Sequence, residues 1–248
     1  ERTFFMLIET VCYDWLRICS GERLGGYAVT EHVAFARSRL LPPSSKLVNP
    51  VAAKLPETAP FFCRAVESSR PRLQLLLPTC DLQQGYAGVS EAIRQFCAIG
   101  ERLDADLRII ATDVPFNKMT VPPQGFTNFD SQVYERDMSV VPGYLRSKEP
   151  LSLRRNDRFV ASAWWNAKQA FELIDAQAAI FGSADRRRAV YLIQDFEPGF
   201  YPWSTRWALA ESTYRQPEKT IAVFNTPLLS DFMAARYAFS ATQTYRPM

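Results

Sequence analysis

A chain of 248 residues with 47% hydrophobic residues can bury one sizeable core, as a large domain or as a domain plus an extension. The net charge of +3, with arginines scattered rather than striped, argues against nucleic acid as a partner. A single histidine, His32, excludes HExxH metal sites and disfavours His-based triads, so acid–base chemistry falls to Asp, Glu or Tyr. Cysteines stand at 12, 19, 63, 80 and 97, an odd number without a CxxC. They suggest neither a zinc knuckle nor a disulfide framework, and fit reduced thiols in a cytoplasmic protein.

From the N-terminus, Phe4, Ile8, Val11, Cys12, Trp15 and Ile18 recur at spacings of three and four, which predicts an amphipathic helix over 4–19. The apolar run Phe4 to Ile8 stops at Glu9, far short of the ~20 residues of a membrane span. It also lacks the basic flank and cleavage site of a signal peptide. Thr30 caps a second helix to about Leu40, and Pro42-Pro43 stops it. Pro50, Pro56 and Pro60 punctuate the next segment, with a short helix expected near Phe61–Ser68. Residues 1–69 therefore read as a helical extension. It can pack on the main domain, form a homodimer, or lie peripherally on a membrane surface.

At Arg72 the pattern changes. Leu73-Gln-Leu-Leu-Leu77 is a buried strand of the parallel kind, and Gly88 to Ile99 is a helix with Val89, Ala92, Ile93 and Phe96 on one face. Asp106 to Thr112 is the next strand, at the distance a βαβ crossover needs. Residues 115–157 are irregular, with one strand expected at Ser131–Glu135 or at Met138–Val141. Strands then follow at Phe159–Ala163, Ala189–Gln194 and Thr220–Phe224. Helices follow at Ala167–Phe181, Ser204–Arg215 and Pro227–Tyr237. This alternation predicts a doubly wound, mainly parallel Rossmann-like α/β sheet over 70–248. Arg154-Arg155 and Arg186-Arg187-Arg188 read as solvated caps.

The chemistry gathers at Tyr191-Leu-Ile-Gln-Asp-Phe-Glu-Pro-Gly-Phe-Tyr-Pro-Trp203. A buried strand gives way to Gln194, Asp195 and Glu197, then to prolines and rings. Carboxylates there suit sugar hydroxyls, and Phe196, Phe200, Tyr201 and Trp203 suit a sugar face. The same rings also fit a proline-kinked loop that covers the sheet edge. Asp195 and Glu197 are two apart and point to opposite sides of an extended chain, which favours Asp195 for a cleft and Glu197 as a cap of the next helix. Gly85-Tyr-Ala-Gly88, in the first βα loop, lets a backbone approach a sugar or an anion, or simply turns tightly. It is not GxGxxG, which disfavours a nucleotide dehydrogenase. Asp113 reads as a strand-end cap. Trp164-Trp165 fits sugar stacking and core packing equally.

Four stretches carry a resemblance: Arg72-Leu-Gln-Leu-Leu-Leu-Pro78, Gly85-Tyr-Ala-Gly-Val-Ser90, Phe159-Val-Ala-Ser-Ala-Trp-Trp165 and the 191–203 stretch. Together they resemble the rhamnosyltransferases of rhamnan and S-layer glycan synthesis, of glycosyltransferase family four and the GT-B fold. The family usually has Gly-Gly where this chain has Ala87-Gly88. The resemblance spans about 71–240, the N-terminal, acceptor-side half of such an enzyme. It implies transfer of L-rhamnose from dTDP-rhamnose to a polysaccharide or lipid-linked glycan, without a metal, at the inner face of the membrane or in the cytoplasm. By residue type and strand-end placement, Asp195 and Glu197 are the expected catalytic pair. By the same chemistry, Gly85, Tyr86, Ala87, Gly88, Trp164, Trp165, Gln194, Tyr201 and Trp203 are the expected substrate contacts. The resemblance also implies a second, C-terminal GT-B domain for the donor, so that this half alone is inactive. A non-catalytic sugar-binding or assembly module remains the alternative.

Overall fold

The computed structural model describes residues 55–81, 87–117, 120–128, 138–182 and 187–245. The helices expected at 4–19 and 30–40 lie outside these residues, as do Gly85 and Tyr86.

Ten strands are described: β1 (Cys63–Ala65), β2 (Arg72–Leu77), β3 (Asp106–Ala111), β4 (Thr127–Asn128), β5 (Met138–Val141), β6 (Leu151–Leu153), β7 (Asp157–Ala161), β8 (Ala189–Ile193), β9 (Thr220–Phe224) and β10 (Thr242–Thr244). Four helices accompany them: α1 (Ala87–Leu103), α2 (Trp164–Phe181), α3 (Thr205–Ser212) and α4 (Pro227–Ala234). Eight strands form one sheet in the order β10-β9-β8-β7-β2-β3-β5-β4, and all neighbours pair in parallel. The expected fold class is the observed one.

Two-residue alternation splits the strands between two cores. Leu73, Leu75 and Leu77 of β2 pack with Val89, Ala92, Ile93 and Phe96 of α1 on one face. Leu76 packs on the other with Phe171, Leu173 and Ile174 of α2. Being covered on both sides, β2, β3, β8 and β9 are buried at every position, which is why they read as continuous apolar runs.

The chain leaves β2 in one direction, to β3 and β5, and returns on β2's other side as β7 before running on to β8, β9 and β10. The order therefore reverses between β2 and β7. A crevice opens at such a reversal, outside the carboxyl ends of the strands.

Several local expectations are corrected. The helix expected near Phe61–Ser68 is instead strand β1, paired in parallel with β6 as a separate two-stranded sheet. Phe61 and Cys63 pack against the α2 core, and the neighbouring prolines obscure so short a strand in the sequence. Of the two candidate strands in 115–157, Met138–Val141 forms, and Ser131–Glu135 lies outside the described residues. Helix α2 starts at Trp164 rather than Ala167. Its N-cap residue is Ala163, which has no side-chain acceptor, so the usual start signal is missing.

Arg154 is not a solvated cap. It is 1% exposed, and its Nη1 donates to Asp106 Oδ2 at 2.6 Å. Arg72 donates twice to Asp157, at 2.8 and 2.9 Å, and Arg108 donates to Gln74 Oε1 and Ser152 Oγ. Arg72, Asp106 and Asp157 are the first residues of β2, β3 and β7, so this buried polar network ties the amino edge of the sheet. The carboxyl edge is left for chemistry.

Candidate functional site

The loops after β2, β7, β8, β9 and β10 surround a cleft of about 600 Å³ at the reversal. Pro78, Ala87, Gly88, Ser162, Gln194, Asp195, Glu197, Phe200, Asn225 and Tyr245 contribute to its wall. The first turn of α1 forms one side and the loop after β8 the other.

Glu197 fixes that loop. It lies in a short 3-10 turn, Glu197–Phe200, and is only 8% exposed. Its Oε2 accepts from the Trp164 backbone N–H at 3.0 Å, and its Oε1 from the Tyr191 hydroxyl at 3.2 Å. The carboxylate thus supplies to α2 the cap that Ala163 cannot, from 33 residues away in sequence. It caps the helix before it, not the one after. Helix α3 is capped by Ser204, whose hydroxyl accepts from Trp207 N–H. Beneath Glu197, Tyr191 stacks on Tyr214 at 5.8 Å, and the Tyr214 hydroxyl accepts from Glu197 N–H and donates to the Asp195 carbonyl.

Burial raises the Glu197 carboxyl from 4.5 to about 7, and the hydrogen bonds from Trp164 and Tyr191 only partly offset it. The folded state then holds a proton that the unfolded state releases. This group's contribution to stability is therefore most favourable below about pH 4.5, falls as pH rises towards 7, and is level above. The swing is on the order of 3 kcal/mol. A Gln carbonyl can still accept from Trp164, so Glu197→Gln should flatten that slope. Thermal melts of both proteins between pH 4.5 and 8 check this. Parallel slopes would contradict it.

Asp195 is different. It is exposed, and its Oδ1 accepts from the Phe196 N–H at 2.8 Å. Both acids line the cleft, whereas the two-residue spacing predicts only one of the pair there.

Gln194 joins the loop to α1: its Nε2 donates to the Gly88 carbonyl at 2.9 Å. Asn225 Nδ2 holds the Gln194 carbonyl at 2.9 Å. A Cβ on Gly88 would stand 2.1 Å from Gln194 Oε1, so only glycine admits this contact. Gly88→Ala should displace the Gln194 amide, lose that hydrogen bond, and cost about 1–2 kcal/mol because the obstructing atom is the end of a flexible side chain. A chemical denaturation curve checks the size; a loss above about 4 kcal/mol would mean that the loop itself cannot yield.

The chain matches the family described as "WsaF, N-terminal domain" over residues 72–227, more than half its length. It belongs to that family. The family points to glycosyltransferases. No curated protein matches the chain. Within the WsaF-type domain the match runs from the start of β2 to the start of α4, and so includes Gly88, Gln194, Asp195 and Glu197.

The aromatic residues divide. Trp164 is fully buried, its backbone N–H on Glu197 and its indole N–H on the Tyr201 hydroxyl at 3.1 Å. No face of it is left for a sugar, so its expected substrate contact is corrected to a packing role. Trp165 and Tyr201 stand on the far side of Trp164 and line a different cavity. Trp203 is 83% exposed and lies 4.3 Å from the Trp207 ring, outside both cavity walls. Phe200, also exposed, reaches the cleft, where the buried Tyr245 is the other ring of the wall.

Asn225, Tyr245 and Ser162 were missed by sequence reasoning. Each follows a strand in the order the fold brings to one edge, and that placement was their only signal. Among the described residues, no group of His, Cys, Asp and Glu could hold a metal. No helix there is long and apolar enough to cross a membrane.

Proposed function

We propose that this WsaF-type domain is the acceptor-side half of a glycosyltransferase that moves L-rhamnose from dTDP-rhamnose onto a polysaccharide or lipid-linked glycan. The family match carries this reading. The cleft supports it with three carboxylates, of Glu91, Asp195 and Glu197, two side-chain amides and one exposed ring at the carboxyl edge, a mixture that suits polyhydroxylated ligands.

In this reading the acceptor hydroxyl lies against Asp195. As its oxygen bonds to the anomeric carbon of the donor, the carbon–oxygen bond to dTDP breaks and Asp195 takes the hydroxyl proton. Glu197 acts on position: with one oxygen on Trp164 N–H and the other on Tyr191 O–H, it holds the loop that presents Asp195. Gln194 stands on the same loop, and Ala87 and Gly88 in the first turn of α1 form the opposite wall. The donor diphosphate needs cationic partners, and none of the cleft residues named for this site is basic. A second GT-B domain would face this one and supply them. The enzyme works in the cytoplasm or at the inner face of the membrane.

The test is a donor screen on the full-length enzyme, scored by turnover against dTDP-, UDP- and GDP-sugars. Turnover with dTDP-rhamnose above the others is expected. Turnover with another sugar alone would overturn the rhamnose assignment, and sugar binding without any transfer would favour a non-catalytic module.

A further inference from the structure

A second cavity, of about 490 Å³, lies beside the cleft. Its walls come from the loops after β3 and β5, the first turn of α2, the loop after β8, and the segment before β1. Trp164 is the partition. Ala163 and Glu197 line the cleft on one side of it, and Trp165 and Tyr201 line the cavity on the other. The two walls are thus less than one helical turn apart along α2, about 5.4 Å.

The cavity is built rather than incidental. The Trp165 indole N–H donates to Asp113 Oδ2 at 2.8 Å, which fixes the ring. Arg206 lies over the Tyr201 ring at 5.5 Å and bonds Glu57 at 2.6 Å. Arg146 donates to the carbonyls of Ala59, Thr112 and Gly143. Both cations are thereby engaged, one by a carboxylate and one by backbone carbonyls. That leaves a poor site for a diphosphate, which needs open donors and positive charge. The wall as a whole is neutral in balance, with Arg146 and Arg206 set against Glu57 and Asp113. Tyr144 accepts from the Phe116 N–H, and Tyr201 from the Trp164 indole, and each hydroxyl keeps its own proton to donate. Asp113 keeps acceptor capacity beyond its bond to Trp165, and the rings of Trp165, Tyr201 and Tyr144 offer flat apolar surface.

We infer that this cavity is a second glycan subsite, which holds sugar units of the acceptor chain remote from the reacting end while the end itself occupies the neighbouring cleft. The inference rests on the acceptor-side reading of the cleft. It adds that the domain selects acceptors by length. A chain that reaches both subsites engages the second as an already tethered ligand, so affinity rises without a new molecule binding.

The experiment is an NMR titration of the 248-residue chain with L-rhamnose and with its trisaccharide and hexasaccharide. The indole N–H signal of Trp165 is assigned by Trp165→Phe. All three sugars should shift the Gly88 amide signal, whereas only the oligosaccharides should shift the Trp165 indole. The hexasaccharide should bind at least about tenfold tighter than the monosaccharide. Tyr144→Phe and Asp113→Asn should each remove most of that gain and leave monosaccharide binding unchanged. If the hexasaccharide shifts Gly88 but neither the Trp165 indole nor the affinity responds to length, the second subsite is overturned and the cleft reading stands. If none of the sugars shifts either signal, both fall together. Tyr144→Phe guards against a folding artefact, since it removes one hydroxyl and leaves the ring against Phe116 in place.

Discussion

Asp157→Ala is expected to destabilise the domain by about 3–5 kcal/mol, the cost of leaving a buried charge without its partner. Asp157 is wholly buried and Arg72 is 6% exposed. The carboxylate receives two bonds from Arg72 and a third from the Arg154 backbone N–H at 2.7 Å. Removal strands the Arg72 guanidinium among the first residues of β2 and β7. A melting temperature lower by about 6–20 °C is expected for a domain of this size. The double variant Arg72→Met, Asp157→Leu should lose far less, because it leaves no buried charge without a partner. If the single and double variants were equally unstable, packing rather than charge would be the cause. Neither substitution is near the cleft, so activity per folded molecule should not change.

The second large effect is on catalysis. Asp195→Asn in the full-length enzyme should cut kcat by about 10²-fold or more while the melting temperature stays put, the size typical of a positioned proton acceptor. The geometry allows the two to separate. Asp195 is exposed at the cleft and its carboxylate bonds the adjacent N–H, a contact that the carbonyl of Asn can keep, so amidation leaves the fold unburdened. Glu197→Gln should be the milder change in kcat, since Glu197 acts through the loop it holds. Its signature is instead the altered pH dependence of stability. Measuring kcat and melting temperature on one preparation separates a proton acceptor from a scaffold residue. An unchanged kcat for Asp195→Asn would remove it from the chemistry.

The sheet was legible because its strands are buried on both faces. Leu73–Leu77 and Ala189–Ile193 have no polar alternation to confuse them with surface strands, and prolines and glycines punctuate the loops between. The strands that went unseen, β4, β6 and β10, have two or three residues each, too few for a period to show. The start of α2 was misplaced because its cap is Glu197, a partner no local signal announces. Arg154 was misread for a related reason: its partner Asp106 is 48 residues distant, and an arginine beside another arginine reads as surface until the pairing is seen.

The site was legible as a stretch but not as a division of labour. The loop after β8 was identified with its acids and rings. What spacing could not give is that the 3-10 turn at Glu197–Phe200 breaks the extended geometry, which brings Asp195 and Glu197 to one cleft. Nor could it give the partition by Trp164. Adjacent tryptophans look alike in sequence, yet one is core and its neighbour lines a separate cavity. The cavity wall contributed by Glu57 also went unforeseen, because that residue belongs to a segment read as a helical extension.

The most direct test of the central claim is a crystal structure of the domain with an acceptor oligosaccharide bound. The account predicts the terminal sugar in the cleft, between Gln194 and Phe200, with a hydroxyl within hydrogen-bond distance of the Asp195 carboxylate. A terminal sugar bound elsewhere, with Asp195 and Gln194 untouched, would contradict it.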